Sequence, residues 1–437
     1  MKKINQTLFN RIKNKVLYHP HFKGVKGLWF NLALRDRAYK KIKERIKRKD
    51  CKDPIKVIFF VMDIKMWKYE TLFKRLKENN IFNPVIIPYP LLWNSKTEQK
   101  KAEQDIVNYC KTNNFNYLIG YNIDSGEYIP AKDLKADFVC FTQPYNNYPY
   151  FWKLERFYKN ALIFYYPYGL HIDFLNSKNI SVFYNLLTHS VAWKLFYNTQ
   201  NGFETFKKNF CTHGKNYSFV GNILHDRIKN NIENKSLWKD SAHNLKRIIW
   251  APHHTIIKGE TIPFATFMTY CEEMKNLAAE YRDKIEFAFR PHPLLRQKLN
   301  DIWGKEKTDS YYEFWSNGPN TFLSTDDYFE LFISSDAMIH DCVTFMMDYL
   351  LVNKPVMFLN KNKMSEIIDG LTLDCHRMHY SGNNITDVRN FIENVIMGNK
   401  DTLKEKRTEF IKYNFINDNS DSPTELMYKE MLNVSQN

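Results

Sequence analysis

Short apolar segments alternate with longer amphipathic segments from residue 55 onward, and this alternation constrains the fold more than any other feature. KVIFFV at 56–61 has the length and composition of a buried strand, and WKYETLFKRLKENN at 67–80 has the periodicity of a helix that follows it. Further strand candidates in this half are PVIIPY (84–89), YLIGY (117–121), FVCFTQ (138–143), ALIFYYP (161–167) and SFVGN (218–222). Buried strands separated by helices predict a mostly parallel sheet with helices on both faces.

A second alternating series begins at residue 247, after a polar stretch rich in Asn and Lys. Its strand candidates are RIIWAP (247–252), KIEFAFRPHP (284–293), NTFLST (320–325), AMIHD (337–341) and PVMFL (355–359). A chain of 437 residues is long enough for two domains with separate cores. We therefore expect an N-terminal α/β domain at 51–227, a linker at 228–246, a C-terminal α/β domain at 247–400 and a helical segment at 401–437. Two such domains place a ligand cleft between them, beyond the carboxyl ends of the strands.

Several function classes are excluded by what the sequence lacks. There is no G-x-x-x-x-G-K-[ST], no G-x-G-x-x-G and no H-E-x-x-H, which argues against a P-loop NTPase, a typical dinucleotide oxidoreductase and a zincin. No Asp-x-Asp triplet and no C-x-x-C occurs, so we expect neither a metal-bridged diphosphate nor a structural zinc site, and no resident cofactor. The seven scattered cysteines fit a reducing cytosol. No apolar run approaches the roughly 20 residues that a membrane-spanning helix needs.

The basic character of the chain is concentrated at its N-terminus. Residues 1–50 contain 16 Lys and Arg and only 3 Asp and Glu, although the whole chain has a net charge of +15. Apolar residues recur at helical spacing in this segment, namely Trp29, Leu32, Tyr39, Ile42 and Ile46. We expect a basic amphipathic segment at 1–50 that associates with an anionic membrane surface. A helix packed on the body with a solvated lysine face is an alternative, and nucleic acid is not expected because no binding module is recognisable.

At three of the predicted strand ends, polar side chains follow directly. His253 and His254 come after RIIWAP, Arg290 and His292 follow KIEFAF, and His340 and Asp341 end AMIHD. The carboxyl ends of parallel strands meet at one edge of a sheet, so these groups are expected to converge on one pocket. Arg290 offers a planar charged fork for phosphate, and the flanking prolines fix the backbone on both sides of His292.

Two further sets of candidates complete the predicted site. Asp341 would bind a ligand hydroxyl, orient a histidine or cap the following helix, in which Thr344 could add a hydroxyl to a phosphate cradle. In the first half, tight turns follow two strands, and they supply the acceptor-side candidates Gln143, Tyr145, Tyr168 and Gly169.

At these positions the sequence resembles the CDP-glycerol glycerophosphotransferase family, which makes teichoic-acid-like and capsular polymers. The resemblance is carried by IIWAPHHTI, FAFRPHPLL, LFISSDAMIHD and DYLLVNKPVMFL, with weaker matches at DFVCFTQPYNNYPY and YYPYGLH. It implies a GT-B-like fold of two Rossmann-like parallel-sheet domains facing a central cleft, with the donor on the C-terminal domain and the acceptor on the N-terminal one. The family's histidine maps onto His292, its paired aspartates onto Asp336 and Asp341, and its later acid onto Asp348.

The resemblance implies transfer of glycerol phosphate, or a related alditol phosphate, from a CDP-linked donor to a hydroxyl of a glycan or lipid-linked glycan, with release of CMP. We expect His292, His253 and Asp341 to be catalytic. The expected donor-binding residues are Arg290, His254, Asp336, His340, Thr344 and Asp348. The enzyme would act without metal at the inner face of the bacterial cytoplasmic membrane. The alternatives are a GT-B glycosyltransferase that uses a nucleotide sugar and a non-catalytic, membrane-recruited scaffold.

Overall fold

The computed structural model describes most of the chain. The described residues are 26–145, 148–167, 186–201, 207, 212–229, 237–240, 244–257, 260, 265–325, 328–360, 368, 370–417 and 421–436. They form two compact units, of which the first contains the described residues up to Asp226 together with 414–437 and the second contains Arg227–Tyr413. None of the described helices is long and apolar enough to cross a membrane.

The first unit is built around a sheet of six parallel strands. Its elements in chain order are α1 (Lys26–Ile46), β1 (Ile55–Val61), α2 (Glu70–Lys77), β2 (Phe82–Pro88), α3 (Lys96–Thr112), β3 (Phe138–Phe141), β4 (Leu162–Tyr165), α4 (Leu187–Val191), β5 (Lys194–Tyr197), β6 (Tyr217–Phe219) and α5 (Leu224–Lys229). The strand order is β2-β1-β3-β4-β5-β6, so the order reverses between β1 and β3.

Burial on both faces explains why β1 is an uninterrupted apolar run. Phe59 lies in a core on one face with Phe73 and Phe164, whereas Phe60 packs on the other face against Phe141 and Trp152. Because successive side chains of a strand point to opposite faces, a strand covered on both sides needs apolar residues at every position.

The second unit contains another six parallel strands. Its elements are β7 (Lys246–Ala251), α6 (Phe267–Glu280), β8 (Ile285–Phe289), α7 (Leu295–Trp303), α8 (Lys305–Asn317), β9 (Thr321–Leu323), α9 (Tyr328–Ser334), β10 (Ala337–His340), α10 (Val343–Asp348), β11 (Val356–Leu359), α11 (Gly370–His376), β12 (Tyr380–Gly382) and α12 (Ile385–Asn390). The strand order is β12-β11-β10-β7-β8-β9. This is the doubly wound Rossmann order, and its topological switch point lies between β7 and β10. Two parallel-sheet units of this kind confirm the predicted α/β, GT-B-like fold class.

The second of the two C-terminal helices packs on the first unit. Helix α13 spans Lys404–Phe415 and α14 spans Pro423–Gln436. Met427, Tyr428 and Met431 of α14 are buried in the core of the first unit, so the chain returns to that unit at its end. The sequence predicted only a polar helical segment here.

Helix α1 also packs on the first unit. Tyr39, Ile42 and Ile46 are buried in its core. These three residues were expected on a membrane-facing apolar surface, and that expectation is wrong for them because the sheet already covers them. The side chains of Trp29 and Leu32 lie outside the described residues.

The structure differs from the predicted strands at three places. YLIGY at 117–121 forms only isolated bridges, from Tyr117 to Ile86 and from Tyr121 to Tyr128. Strands β5 and β12 were not predicted, because KLFY is only four residues long and YSG carries no apolar run.

A buried carboxylate joins α1 to the amino edge of the first sheet. Asp137 is 1% exposed, and its Oδ1 accepts hydrogen bonds from Arg45 Nη2 at 3.0 Å and Nε at 3.2 Å. Its Oδ2 accepts from the Lys56 backbone N–H at 2.9 Å and lies 3.1 Å from Lys49 Nζ. A carboxylate with this many donors compensates for the cost of burying its charge and fixes α1 on the sheet.

We expect Asp137→Asn to lower the free energy of unfolding by about 3 kcal/mol, because it leaves Arg45 and Lys49 without their buried counter-charge. Urea unfolding followed by fluorescence measures this change. Asp53→Asn is the matched control, since Asp53 also pairs with Lys49 but is 77% exposed at its side chain. The control should change stability by less than about 1 kcal/mol. Equal effects of the two substitutions would contradict the anchoring role of Asp137.

Candidate functional site

Three strands of the second unit deliver polar residues to one edge of the sheet. Strand β7 pairs with β8 and with β10, and His253, His292 and Asp341 follow the ends of these strands. Two backbone hydrogen bonds extend the pairing beyond β8, from Arg290 N–H to Trp250 O at 2.8 Å and from His292 N–H to Pro252 O at 3.0 Å. The predicted convergence of His253, His292 and Asp341 is therefore present, and it lies at the switch point.

The aromatic core behind this edge makes it rigid. Trp250, next to the end of β7, stacks on Phe289 with ring centroids 5.0 Å apart and on Phe267 at 5.7 Å. Trp315 packs 5.1 Å from both Trp250 and Phe289. These large buried rings fix the ends of β7 and β8, from which the histidine loops start.

Three imidazole rings form a compact cluster, which we call the histidine cluster: His253, His254 and His292. The ring centroids of His254 and His292 are 4.1 Å apart, those of His253 and His254 are 4.4 Å apart, and those of His253 and His292 are 5.1 Å apart. A ring nitrogen of each lies within 4.8 Å of a ring nitrogen of the other two. All three side chains are half-buried, so the cluster remains open to a ligand.

Asp341 holds the loop that carries His253. Its Oδ1 accepts a hydrogen bond from the His253 backbone N–H at 2.5 Å, and its Oδ2 accepts from the Thr266 N–H at 2.5 Å and the Thr266 hydroxyl at 2.8 Å. Both carboxylate oxygens are thus used by the protein, and the residue is 1% exposed. Of the roles that the sequence left open, the structure supports orienting a histidine. A direct contact with substrate and a cap on α10 are not supported, because α10 begins after Cys342 without a side-chain cap.

Burial raises the pKa of Asp341 to about 6, although the hydrogen bonds from Thr266 and His253 oppose this shift. The carboxyl group is therefore ionised near neutral pH and becomes protonated in mild acid. Protonation would remove an acceptor from the hydrogen bonds that position the His253 loop.

A lysine that the sequence did not single out completes the cluster. Lys298 Nζ lies 3.0 Å from His254 Nδ1 and forms an ion pair with Glu260. It lies on α7, one helical turn after Leu294, and α7 was not among the predicted helices. The helical spacing of Leu295 and Leu299 would have indicated this helix, but nothing in the sequence shows that Lys298 reaches His254.

The histidines of the cluster are neutral near pH 7. Burial, followed by the nearby His254, His292 and Lys298, lowers the pKa of His253 to about 3. Burial, with His254 and Lys298, lowers the pKa of His292 to about 4. Burial and Lys298 also lower the pKa of His254. Among the described residues, the cationic side chains at this edge are Lys298 and Arg290, whose Nη1 lies 3.4 Å from Ser324 Oγ.

Hydrogen bonds to the ring nitrogens decide what the cluster can bind. His292 Nδ1 accepts from the Leu294 backbone N–H at 3.2 Å, and His254 Nδ1 faces the ammonium group of Lys298. A neutral imidazole whose Nδ1 accepts carries its proton on Nε2, so both rings present N–H donors. A histidine that binds a metal through Nε2 instead donates from Nδ1 to an acceptor. Three clustered histidines could hold a transition metal, but this polarity suits an anion better.

The four remaining predicted donor-binding residues, other than Arg290 and His254, already make hydrogen bonds within the second unit. His340 is fully buried, its Nδ1 lies 3.0 Å from Cys342 O, and its ring packs against Phe358 and His379. Asp336 lies at the opposite, amino edge of the sheet, where its Oδ2 accepts from the Arg247 N–H at 2.8 Å. Burial of His340 in the core, and the position of Asp336 before β10 at the edge opposite to the end of that strand, do not support the predicted ligand contacts.

The other two lie on α10. Asp348 accepts a hydrogen bond from the Tyr328 hydroxyl at 2.7 Å, at the end of the helix. Thr344 is exposed, and its hydroxyl lies 3.0 Å from Cys342 Sγ. Thr344 remains available to a ligand, whereas Asp348 stabilises the packing of α9 on α10.

The acceptor-side candidates lie in the first unit. Gln143 follows β3, next to the switch point of that sheet, but its side chain is buried and its Nε2 lies 2.5 Å from the Tyr89 hydroxyl. Tyr148 donates to Gln143 O at 2.9 Å, and Tyr145 is half-buried. Gln143 therefore shapes this turn through its own hydrogen bonds. Tyr168 and Gly169 lie outside the described residues.

A model of the CDP-glycerol:poly(glycerophosphate) glycerophosphotransferase family matches residues 204–424, which is half of the chain and contains the whole histidine cluster. The chain belongs to this family. It is therefore an enzyme, a transferase of the CDP-glycerol glycerophosphotransferase type. No curated protein matches it significantly in sequence.

Solved structures with the same fold include the wall teichoic acid polymerase TagF, at 14% identity and a TM-score of 0.58, covering 100% of this chain and 99% of that one. MnaA from S. aureus, in complex with UDP, is 16% identical with a TM-score of 0.50, covering 88% of this chain and 98% of that one. UDP-GlcNAc 2-epimerase from Neisseria meningitidis, bound to UDP-GlcNAc, is 13% identical with a TM-score of 0.52, covering 87% and 100%. At identities this low, the comparison shows only that this glycerophosphotransferase shares the fold of these structures.

We expect Asp341→Asn to lower kcat about 100-fold, since a small displacement of a catalytic group has an effect of this size. The amide nitrogen of Asn would face an N–H donor, either that of His253 or that of Thr266. Steady-state kinetics should show a larger change in kcat than in KM. Asp226→Asn is the matched control, because Asp226 is a buried aspartate of the first unit that accepts from the Thr424 N–H. An Asp341→Asn enzyme with the turnover of the Asp226→Asn enzyme would rule out the positioning role.

Stability should fall as the pH decreases below about 6.5, by roughly 1.4 kcal/mol per pH unit for each histidine that stays neutral in the folded state. His340, with a pKa lowered by burial to about 3, and His379, with a pKa lowered well below its ordinary value, are both fully buried. The unfolded chain binds protons at these positions first, so acid favours unfolding. Asp341 has the opposite effect on the pH dependence of stability, because its raised pKa makes the folded state bind a proton before the unfolded chain does. The effect of this one group is outweighed by that of several histidines.

Urea unfolding between about pH 7 and pH 5 tests this linkage. In His340→Asn the amide N–H can replace the Nδ1–H donor to Cys342 O, so this variant should show a shallower pH dependence. His213→Asn, at an exposed histidine, should keep the slope of the unsubstituted protein. A stability that does not change over this range would contradict the neutral state of the buried histidines.

Proposed function

We propose that this transferase moves glycerol phosphate, or a related alditol phosphate, from a CDP-linked donor to a hydroxyl of a cell-surface glycan or lipid-linked acceptor, and releases CMP. The observation that carries the proposal is the histidine cluster at the switch point, where imidazole N–H donors stand beside Arg290 and Lys298. A diphosphate needs hydrogen-bond donors and positive charge from several directions, and this edge of the sheet offers both. A lipid-linked acceptor would hold the reaction at the cytoplasmic membrane surface.

His292 and His254 are suited to bind the diphosphate. Their Nε2–H groups are fixed in direction because backbone and lysine donors occupy Nδ1. Neutral donors in a half-buried site bind phosphate oxygens without mutual repulsion between the rings. Arg290 adds a planar charged fork, and Lys298 adds a second charge that Glu260 already orients.

His253 is suited to act as the general base. Its Nδ1 lies 3.0 Å from Thr255 Oγ1 and 3.4 Å from the Thr255 backbone N, so a base at Nε2 requires the tautomer in which Nδ1–H donates to that hydroxyl oxygen. Burial, with His254, His292 and Lys298, lowers the pKa of His253 to about 3. A bound diphosphate brings negative charge beside the ring, which raises the pKa of His253 toward the working range of a base.

The reaction forms one P–O bond and breaks another. The acceptor oxygen attacks the β-phosphorus, the bond from that phosphorus to the bridging oxygen breaks, and CMP leaves with the bridging oxygen. The acceptor proton passes to His253 Nε2 and from there to solvent. His292, His254 and Arg290 stabilise the charge on the equatorial oxygens, which is where phosphoryl transfer needs stabilisation.

His292→Asn should lower the rate of CMP release by roughly 100-fold to 1000-fold, because it removes a donor that stabilises the transferring phosphoryl group. CMP is measured by chromatography, with CDP-glycerol as donor and a glycerol phosphate oligomer as acceptor. His213→Asn, at an exposed histidine, should keep full activity. His253→Asn should retain the thermal shift induced by CDP-glycerol and lose turnover, since a base acts in the chemical step.

Two results would count against this function. Full activity of His292→Asn would remove the histidine cluster from the mechanism. A thermal shift with UDP-sugars and none with CDP-glycerol or CDP-ribitol, together with an NDP product, would favour a nucleotide-sugar glycosyltransferase.

A further inference from the structure

A basic groove lies at the amino edge of the first sheet, between α1 and the starts of β1, β2 and β3. Its volume is about 1210 Å³, and its lining contains nine Lys and Arg residues and three acidic residues. All of it belongs to the first unit. The groove lies at the edge of the sheet opposite to Gln143, which follows the carboxyl end of β3.

The acidic residues of the groove are already paired. Asp137 is buried against Arg45 and Lys49, Asp53 lies 3.0 Å from Lys49, and Glu44 lies 3.7 Å from Lys47. None of these carboxylates therefore offsets the remaining cations. The charge of the groove is strongly positive even though the body of the protein is nearly neutral.

Six cations of the lining form no ion pair with any described residue, and all six are exposed. They are Arg37, Lys40, Lys41, Arg48, Lys132 and Lys135. Arg37, Lys41 and Arg48 recur at intervals of four and seven residues, so they form one row of roughly 15 Å along α1 and its C-terminal turn. Lys132 and Lys135 face this row from the loop before β3.

The cations that line the groove lie close enough to repel one another. Burial lowers the pKa of Lys56 in the groove, and Lys135 and Lys49 lower it further, while Asp137 opposes the shift. A bound anion would relieve this repulsion between like charges.

We propose that the basic groove binds a linear phosphodiester chain of the acceptor or product type, and this inference rests on the proposed function. The family acts on poly(glycerophosphate), a chain with one negative charge at each repeat. A flexible polyanion can enter a concave groove and contact cations on both walls. Release of its counterions would add to the affinity, as it does for other polyanions.

An anionic bilayer fits the groove less well. A membrane-surface helix inserts apolar side chains, but Tyr39 and Ile42 are buried in the core, and no large apolar side chain of α1 is exposed among its described side chains, from residue 34 onward. For the described side chains of α1, the interaction with a bilayer would be electrostatic. The cations also line a recess, which a flat lipid surface cannot enter.

The test compares two fourfold variants of the full chain. The groove variant is Arg37→Gln, Lys41→Gln, Lys132→Gln and Lys135→Gln, which leaves the Arg45 and Lys49 pairs with Asp137 intact. The control variant is Lys101→Gln, Lys111→Gln, Lys400→Gln and Lys406→Gln, at exposed lysines outside the groove. Both remove the same charge, and thermal unfolding checks that both fold.

Fluorescence anisotropy with a labelled glycerol phosphate oligomer measures affinity as a function of salt. We expect the groove variant to bind roughly tenfold or more weakly, with a shallower dependence of log Kd on log salt, because it engages fewer phosphates. The control variant should bind like the unsubstituted protein. Equal affinities of the two variants would overturn the proposal.

Vesicles of phosphatidylglycerol form a second arm. Loss of vesicle binding in the groove variant, together with no binding of the oligomer to the unsubstituted protein, would overturn the proposal in favour of a membrane contact. A thermal shift with CDP-glycerol is measured on the same protein. A donor shift without oligomer binding refutes the groove assignment alone, whereas no donor shift refutes the proposed function.

Discussion

The buried carboxylate of Asp341 is the interaction on which the candidate site depends. One oxygen accepts from the His253 backbone N–H and the other accepts from the N–H and hydroxyl of Thr266. Three segments that are distant in sequence, namely the end of β10, the loop after β7 and the start of α6, thereby meet at one residue. Without this acceptor their backbone N–H groups would be buried without partners, at a cost of roughly 1–3 kcal/mol each.

Burial then decides the electrostatics of the histidine cluster. Three imidazoles within contact distance would repel one another if they were protonated, and half-burial beside Lys298 keeps them neutral. Neutral rings with Nδ1 occupied become donors in fixed directions. The imidazoles therefore supply hydrogen-bond donors, and Arg290 and Lys298 supply positive charge. An anionic diphosphate is suited to a site that offers both.

The first unit also depends on one buried carboxylate, which positions one wall of the basic groove. Asp137 binds Arg45 and Lys49 and so places α1 over the amino edge of the sheet. Docking the apolar face of α1 in the core turns its remaining lysines and arginines toward the groove. A basic amphipathic segment thus becomes one wall of a basic groove.

The apolar runs of the sequence were sufficient to predict the two parallel sheets, because strands such as β1 and β7 are covered on both faces and need apolar residues throughout. Positions directly after strand ends were sufficient to place His253, His292 and Asp341 together, since parallel strands end at one edge. The family was also evident from IIWAPHHTI and FAFRPHPLL. Strands as short as β5 and β12 carry too few residues for a pattern, and they became strands only because neighbouring strands offered backbone partners.

Other features were decided only by the tertiary structure. Asp336 and Asp341 look equivalent in the sequence, but the four residues of β10 place them at opposite edges of the sheet, so only Asp341 reaches the His253 loop. His340 was expected to bind the donor but is buried in the core, whereas Lys298, which no sequence pattern indicated, reaches His254 from α7. Sequence patterns record whether a side chain is to be buried or exposed. Which groups become neighbours, and which donor occupies a ring nitrogen, follows from the packing of elements that lie far apart in the chain.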